Sequence, residues 1–418
     1  MPAINTGDTA YVLVSSALVL LMTPGLAFFY GGLVRRKNVL NTMMMSIATM
    51  GIASVLWVLV GYTLSFGTDL GGIIGGFDFF GLKGLDGNSI TGTIPTFAFL
   101  VFQMMFAIIT PALITGAIAE RMKFPALAAF VVLWSLLIYY PLAHMVWGTD
   151  GILGIYPSEG KSTLGALDFA GGNVVHISSG ISALVACLVL GKRKGHGVVK
   201  VVPHNVPFVL LGAALLWFGW FGFNSGSALA ANGLAAHAFL TTNIAAAAAM
   251  LSWMIIDCIT VGKPTAVGAA TGAVIGLVAI TPGAGFVPVW AAILIGLLVS
   301  PICWFFISKV KGKFGYDDAL DVFGCHGIGG IWGGIATGLF ASEAVGGHNG
   351  LFYGDPGQLV KQLAAIGVTI VLAAVGTFVI LKLIGLFTKL RATPREEADG
   401  LDGSQHGESA YPSFHGMD

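Results

Sequence analysis

Eleven apolar stretches divide this chain, at residues 10–33, 42–66, 93–118, 125–146, 168–190, 204–226, 237–259, 265–281, 288–307, 320–341 and 357–388. Helix crosses the hydrocarbon layer of a bilayer in about 20 apolar residues. No water there satisfies a bare backbone amide, so repeated stretches of this kind must fold as helices packed together. Composition agrees, with 56% hydrophobic and 10% charged residues, against about 25% charged in soluble domains. The formal net charge is zero, which removes the general electrostatic case for nucleic acid. Met1–Thr9 carry no basic segment, so we expect no cleavable signal or transit peptide and read the first stretch as a true span.

Basic residues set the orientation. Arg35–Lys37, Arg121 and Lys123, Lys192–Lys194 with Lys200, Lys263, Lys309 with Lys311 and Lys313, and Lys389 with Arg391 and Arg395 each follow an odd-numbered span. The opposite loops hold only Lys83 and Lys161. Lys and Arg accumulate on the cytoplasmic side, which places the N-terminus outside and the C-terminus in the cytoplasm. The expected fold is an all-α integral membrane protein with eleven transmembrane helices. Five spans is an odd number, so spans 1–5 (about 10–190) and 6–10 (about 204–341) enter from opposite sides. That is an inverted repeat, with sites at the interface of the halves near the midplane. The eleventh span, 357–388, is long enough to tilt across the bundle. The membrane domain then covers 1–390 and a polar cytoplasmic tail covers 391–418.

Two histidines lie in matching spans. His176 follows Asp168 by eight residues in span 5, and His326 follows Asp321 by five in span 10. At 1.5 Å per residue they stand roughly 12 Å and about 7–8 Å beyond their aspartates, so two oppositely entering helices bring the rings together at mid-membrane. An ionisable group at that depth needs a partner, a wet cavity or a task. Neutral imidazoles can pass hydrogen bonds or a proton along a narrow pore, but no carboxylate ring accompanies them to cage sodium or potassium. Single histidines bonded to backbone carbonyls, or axial haem ligands, are the competing readings. Asp168 and Asp321 each precede an apolar helix and fit helix N-caps. Asp168 also adds negative potential beneath the outer surface.

Aromatic residues gather at the outer ends of spans 3, 4 and 6: Phe102, Phe106, Trp147, Trp220 and Phe223, with the hydroxyl of Ser227 nearby. Aromatic faces attract cations by about 0.5–1 kcal/mol exposed and more when desolvated. An interfacial aromatic belt would use the same residues. His144, His204 and His237 sit near span ends and read as interfacial, and Glu120 with Arg121 reads as a cytoplasmic-end pair. Cys187, Cys258, Cys303 and Cys325 show no metal spacing or disulfide framework and read as small buried hydrophobes. Gly330, Gly334 and Gly338 form a small-residue stripe for close helix packing.

Several segments together resemble the ammonium transporter family (Amt/Mep/Rh), and its Amt branch in particular. They are Thr23–Arg35, His144–Gly148, Asp168–His176, Gly219–Asn224, Asp321–His326, and Gly400–Asp402 with His406–Tyr411 in the tail. The resemblance implies a homotrimer with one pore per subunit and no enzyme activity or cofactor. Trp147 and Ser227, with Phe102 and Phe106, would recruit ammonium or methylammonium outside. Trp220 would line the vestibule, Phe106 and Phe223 would be stacked gate rings, and His176 and His326 would be the twin histidines of the pore. Asp168 would be largely architectural. The tail would dock on the neighbouring subunit, and a GlnK-like regulator would plug the inner mouths. The location implied is the plasma or inner membrane. Alternatives are an ammonium sensor, a neutral ammonia channel of Rhesus type, and a membrane enzyme using the histidines as ligands. A sensor usually carries a fused signalling domain, and a tail of about 30 residues is below that size.

Overall fold

The computed structural model describes residues 4–199 and 201–411. The chain is predominantly helical. Among the described residues, nine helices are long and apolar enough to cross a membrane: Thr6–Leu33, Arg36–Phe66, Thr96–Ile118, Phe124–Trp147, Gly172–Leu190, Val206–Ala228, Gly233–Val261, Val289–Phe314 and Pro356–Phe387. Where the sequence suggests the eighth and tenth spans, the helices are shorter. Ala266–Ile280 continues into turns, and Phe323–Ile328 runs as a wide turn into Gly329–Phe340. Two small hairpins, pairing Asp69–Leu70 with Ile74–Gly75 and Ile90–Thr91 with Ile94–Pro95, give the first large loop more structure than an all-helical reading implies.

Glycine sets two close helix crossings. The helices Thr6–Leu33 and Val206–Trp220 meet where a Cβ on Gly212 would collide with the backbone of Phe29. The histidine-bearing helices meet where a Cβ on Gly180 would collide with the backbone of Gly327. Small residues permit this approach in lipid, where packing rather than the hydrophobic effect holds helices together. Gly330 lies against His176 and Ile177, and Gly338 against Gln362 and Leu359 of the last helix, so the glycine stripe is a packing surface. Gly180→Leu should push the two histidines apart. We expect thermal stability to fall by about 2 kcal/mol or more from overpacking, measured by unfolding of the detergent-solubilised protein.

The 32-residue helix Pro356–Phe387 is about 48 Å long at 1.5 Å per residue, well beyond a roughly 30 Å hydrocarbon layer, and so long enough to cross it at a tilt. Cys187, Cys303 and Cys325 are buried, whereas Cys258 is exposed. It departs from the expectation because it shares an exposed side of its helix with Leu251, Ile255 and Ile259, a face suited to lipid.

The basic end is held by a buried ion network. Glu120 and Arg121 do not pair with each other. Glu120 takes Arg35 at 2.9 Å and Arg193 at 2.8 Å, Arg193 also reaches Asp317 at 2.7 Å, and Arg121 donates to the Asp317 carbonyl at 2.5 Å. Burial pushes the Glu120 and Asp317 carboxyls up, but the facing arginines outweigh it and hold both below the usual carboxylate range. Arg193→Ala strands two buried carboxylates and should cost about 3–5 kcal/mol at neutral pH. Depressed folded values mean that this stabilisation is present above about pH 4 and lost as pH falls further. The gap between wild type and variant should therefore narrow in acid, which unfolding scans across pH would register.

The tail docks on this network's neighbours within its own chain. Leu401 N–H donates to Asn38 Oδ1 at 2.8 Å, Asn41 N–H to Asp402 Oδ1 at 2.8 Å, and the Asn38 amide to Glu120 at 2.9 Å. Thr393 and Glu396 form a capping box that starts the short tail helix Pro394–Asp399. Residues 412–418 of the expected tail lie outside the described residues.

Candidate functional site

Three segments that carry candidate residues are π-helical: Gly172–Ile177 with His176, Phe221–Ser225 with Phe223, and Phe323–Ile328 with His326. Such wide turns are costly and occur mostly at functional sites. Here His176, Phe223 and His326 are all buried.

Asp168 builds the first of them. Its Oδ1 accepts the N–H groups of Gly171 and Gly172 at 2.7 and 2.6 Å, and its Oδ2 those of Asn173 and Val174 at 2.7 and 3.4 Å. One carboxylate thus serves the orphan donors that open a helix. The chain bends into this cap at Gly171, whose φ of +118° suits glycine. The expected partner in the second half, Asp321, does not do the same. Its φ is +60° and its carboxylate takes the Lys311 ammonium at 2.6 Å. The cap there is Asp318, whose Oδ2 accepts Phe323 N–H at 2.7 Å. Asp318 precedes His326 by eight residues, the same offset as Asp168 from His176. The two histidine-bearing segments are therefore more alike than the Asp321 pairing suggests.

The histidines meet. Their Nδ1 atoms are 3.3 Å apart and the rings lie at 24° with centroids 5.3 Å apart. One Nδ1 must donate to the other, so a neutral pair holds opposite tautomers. His176 also stacks on Trp220 at 5.4 Å, and its Nε2 has no protein partner. Beyond this pair, the Phe106 and Phe223 rings lie with centroids 4.3 Å apart, tilted at 34° rather than stacked.

Space along the path is uneven. A cavity of about 510 Å³ at the end away from the basic loops, termed the outer cavity, is lined by Phe106, Trp147 and Ser227, together with Gln103, Tyr156 and Phe169, which the sequence reading missed. Below the Phe106–Phe223 pair is a neck of only about 10 Å³ lined by His176, His326, Trp220, Phe223 and apolar residues including Leu26 and Ile109. A cavity of about 390 Å³ follows at the basic end, termed the inner cavity, touching His326, Asp321, Arg193 and Lys311. Trp147 is fixed by its indole N–H, which donates to the Asp168 carbonyl at 2.9 Å, and its ring meets Phe106 edge-on at 5.7 Å. Ser227 donates its hydroxyl proton to the Phe223 carbonyl at 2.9 Å, leaving its oxygen lone pairs to accept from a ligand.

Two placements differ from expectation. Trp220 lies in the neck rather than the vestibule, anchored by its N–H to Thr281 at 2.9 Å. Phe102 is buried behind Phe106, edge-on at 5.0 Å, and supports that ring rather than facing the outer cavity. Helical phase puts Phe102 on the same face as Phe106, four residues on, but Gly226 packs directly against its ring and closes it off. His144 keeps its place at the end of its span and is fully buried there, because two acceptors from other segments enclose its ring.

The chain as a whole has known relatives. Residues 10–411 match the model of the Ammonium Transporter Family. The ammonium transporter of Bacillus subtilis is 53% identical over 409 residues, covering 97% of this chain and 98% of the relative. Among solved structures, Saccharomyces cerevisiae Mep2 superposes with a TM-score of 0.86 at 35% identity, covering 93% of this chain and 88% of that one. A sensor Amt protein superposes with a TM-score of 0.87 at 29% identity, covering 96% and 98%. With a family match over nearly its full length and half its residues shared with a relative, this chain belongs to the ammonium transporter family.

Proposed function

We propose that the protein is an ammonium transporter that strips a proton from ammonium at the outer vestibule and passes ammonia through the histidine-lined neck, with the proton following through the histidine pair. The observation that carries this is the 10 Å³ apolar neck between two much larger cavities. Taking an ion into such a neck costs several kcal/mol, whereas neutral ammonia escapes that penalty. The faces of Trp147 and Phe106 attract the cation, and Ser227 accepts one of its N–H groups. The Phe106 and Phe223 rings open for the neutral species. The bonded Nδ1 atoms and the free Nε2 of His176 then offer a relay for the proton, making transport electrogenic.

Eleven spans in two inverted halves, a homotrimer in the plasma or inner membrane with the N-terminus outside, and a GlnK-like regulator at the inner mouth complete the proposal. The basic inner loops support the orientation, and family membership supports the assembly and the regulator. The likeness to a sensor Amt protein favours ammonium sensing as the second reading. Uptake of labelled methylammonium into liposomes separates the two. A transporter gives saturable uptake that ammonium competes for and potassium does not. Trp147→Leu should raise the half-saturating concentration by about tenfold, the loss of a ~1–2 kcal/mol cation–π contact. Binding without uptake would favour the sensor.

A further inference from the structure

His144 sits in the last turn of the helix Tyr140–Trp147, three residues before Trp147, and its side chain is fully buried. Nδ1 lies 3.0 Å from the Ser65 carbonyl and Nε2 lies 3.0 Å from Asp69 Oδ1. A carbonyl and a carboxylate can only accept. A neutral imidazole has one N–H, so one of these contacts would set two lone pairs face to face. Hydrogen on both ring nitrogens satisfies both. Asp69 is fitted to face a cation, since it also accepts Gly72 N–H at 2.6 Å and lies 3.6 Å from the Lys161 ammonium. Partial burial pushes its carboxyl up, but the contacts from His144, Gly72 and Lys161 hold it below the usual range. The imidazole is also at the C-terminal end of its helix, where the dipole favours positive charge.

The ring joins three pieces of the outer vestibule. Ser65 ends the helix that supplies Tyr62 and Phe66 to the outer cavity. Asp69 opens the first outer hairpin. The turn after Trp147 wraps directly over the ring, where a Cβ on Gly148 would come within 2.7 Å of Nδ1.

We propose that His144 is a positioning residue for ammonium recruitment: donating from both ring nitrogens, it clamps the wall formed by Tyr62 and Phe66 to the turn that aims Trp147. This rests on the reading of the vestibule as an ammonium site, and the test reads the two separately. Solid-state ¹⁵N NMR of histidine-labelled full-length protein in liposomes, assigned with H144Q, should show both His144 nitrogens protonated at neutral pH. H144Q should raise half-saturating ammonium about tenfold, as expected for a lost hydrogen bond to a charged group, with maximal current within about twofold of wild type. D69N replaces one acceptor by an amide that can donate, so the ring should become singly protonated and half-saturation should rise in the same direction. A singly protonated ring in wild type overturns the proposal. So does unchanged half-saturation in both variants, or a loss confined to maximal current. If H144Q does not fold, D69N decides alone. If wild type gives no ammonium-dependent signal, the ammonium reading fails, while the NMR result still decides the clamp.

Discussion

Replacing His176 and His326 together by alanine should turn a selective pore into a leaky one. The two rings line a neck of about 10 Å³, and removing both opens enough room for water to run from one cavity to the other. A wet path lowers the penalty of several kcal/mol that a dry one imposes on an ion. Losing about 3 kcal/mol of that penalty corresponds to about a hundredfold loss of discrimination at tenfold per ~1.4 kcal/mol. Potassium, which has no proton to give up, should then cross and compete with ammonium. Currents from liposomes holding the double variant, recorded with ammonium and with potassium, give the ratio directly. Full activity that remains blind to potassium would remove the relay role from both residues.

Asp168→Ala should have the largest effect on the fold near the pore. Four backbone N–H groups at the start of the histidine-bearing helix end on that one carboxylate. Each hydrogen bond to a charged group contributes about 1.5–3 kcal/mol, and a buried donor left alone costs about 1–3 kcal/mol. We expect a loss of about 5 kcal/mol or more, enough to release the first turn of the helix and with it the Trp147 anchor on the Asp168 carbonyl. Thermal unfolding should show it, and transport should fall with it. Asp168→Asn keeps one oxygen but turns an amide donor toward other donors, and should lie between alanine and wild type. An alanine variant as stable as wild type would mean that this cap is not what holds the pore helix.

The long apolar stretches, the basic loops and the paired histidines were legible because each follows from a physical necessity that shows in one dimension. Lipid demands runs of apolar residues, the cytoplasmic side accumulates Lys and Arg, and an ionisable group at depth stands out. Phe106, Phe223, Trp147 and Ser227 were legible as a gathering at the outer ends of three spans, but their order in depth was not. Trp220 and Phe102 show why. Trp220 abuts a π-helical turn at Phe221–Ser225, whereas Phe102, in the regular helix Thr96–Ile118, is covered by packing against Gly226, and no hydropathy pattern records either. The second-half cap was misplaced for a related reason. Asp321 is the nearer aspartate to the apolar run, yet its positive φ turns it toward Lys311 and leaves the cap to Asp318. An equal spacing of eight residues from each histidine was the signal that could have found it. Glu120 and Arg121 are adjacent in sequence but serve different partners, Arg35 and Arg193 for one and Asp317 for the other. Pairing across loops of distant spans is set by packing, and sequence neighbours are a poor guide to it.

Proton-coupled passage of ammonia through this pore is tested most directly by the current that follows an ammonium jump over purified protein in liposomes on a solid support. The account predicts a transient current that saturates with ammonium concentration and is absent after sodium or potassium jumps. Ammonium that binds but produces neither current nor a change in internal pH would contradict it.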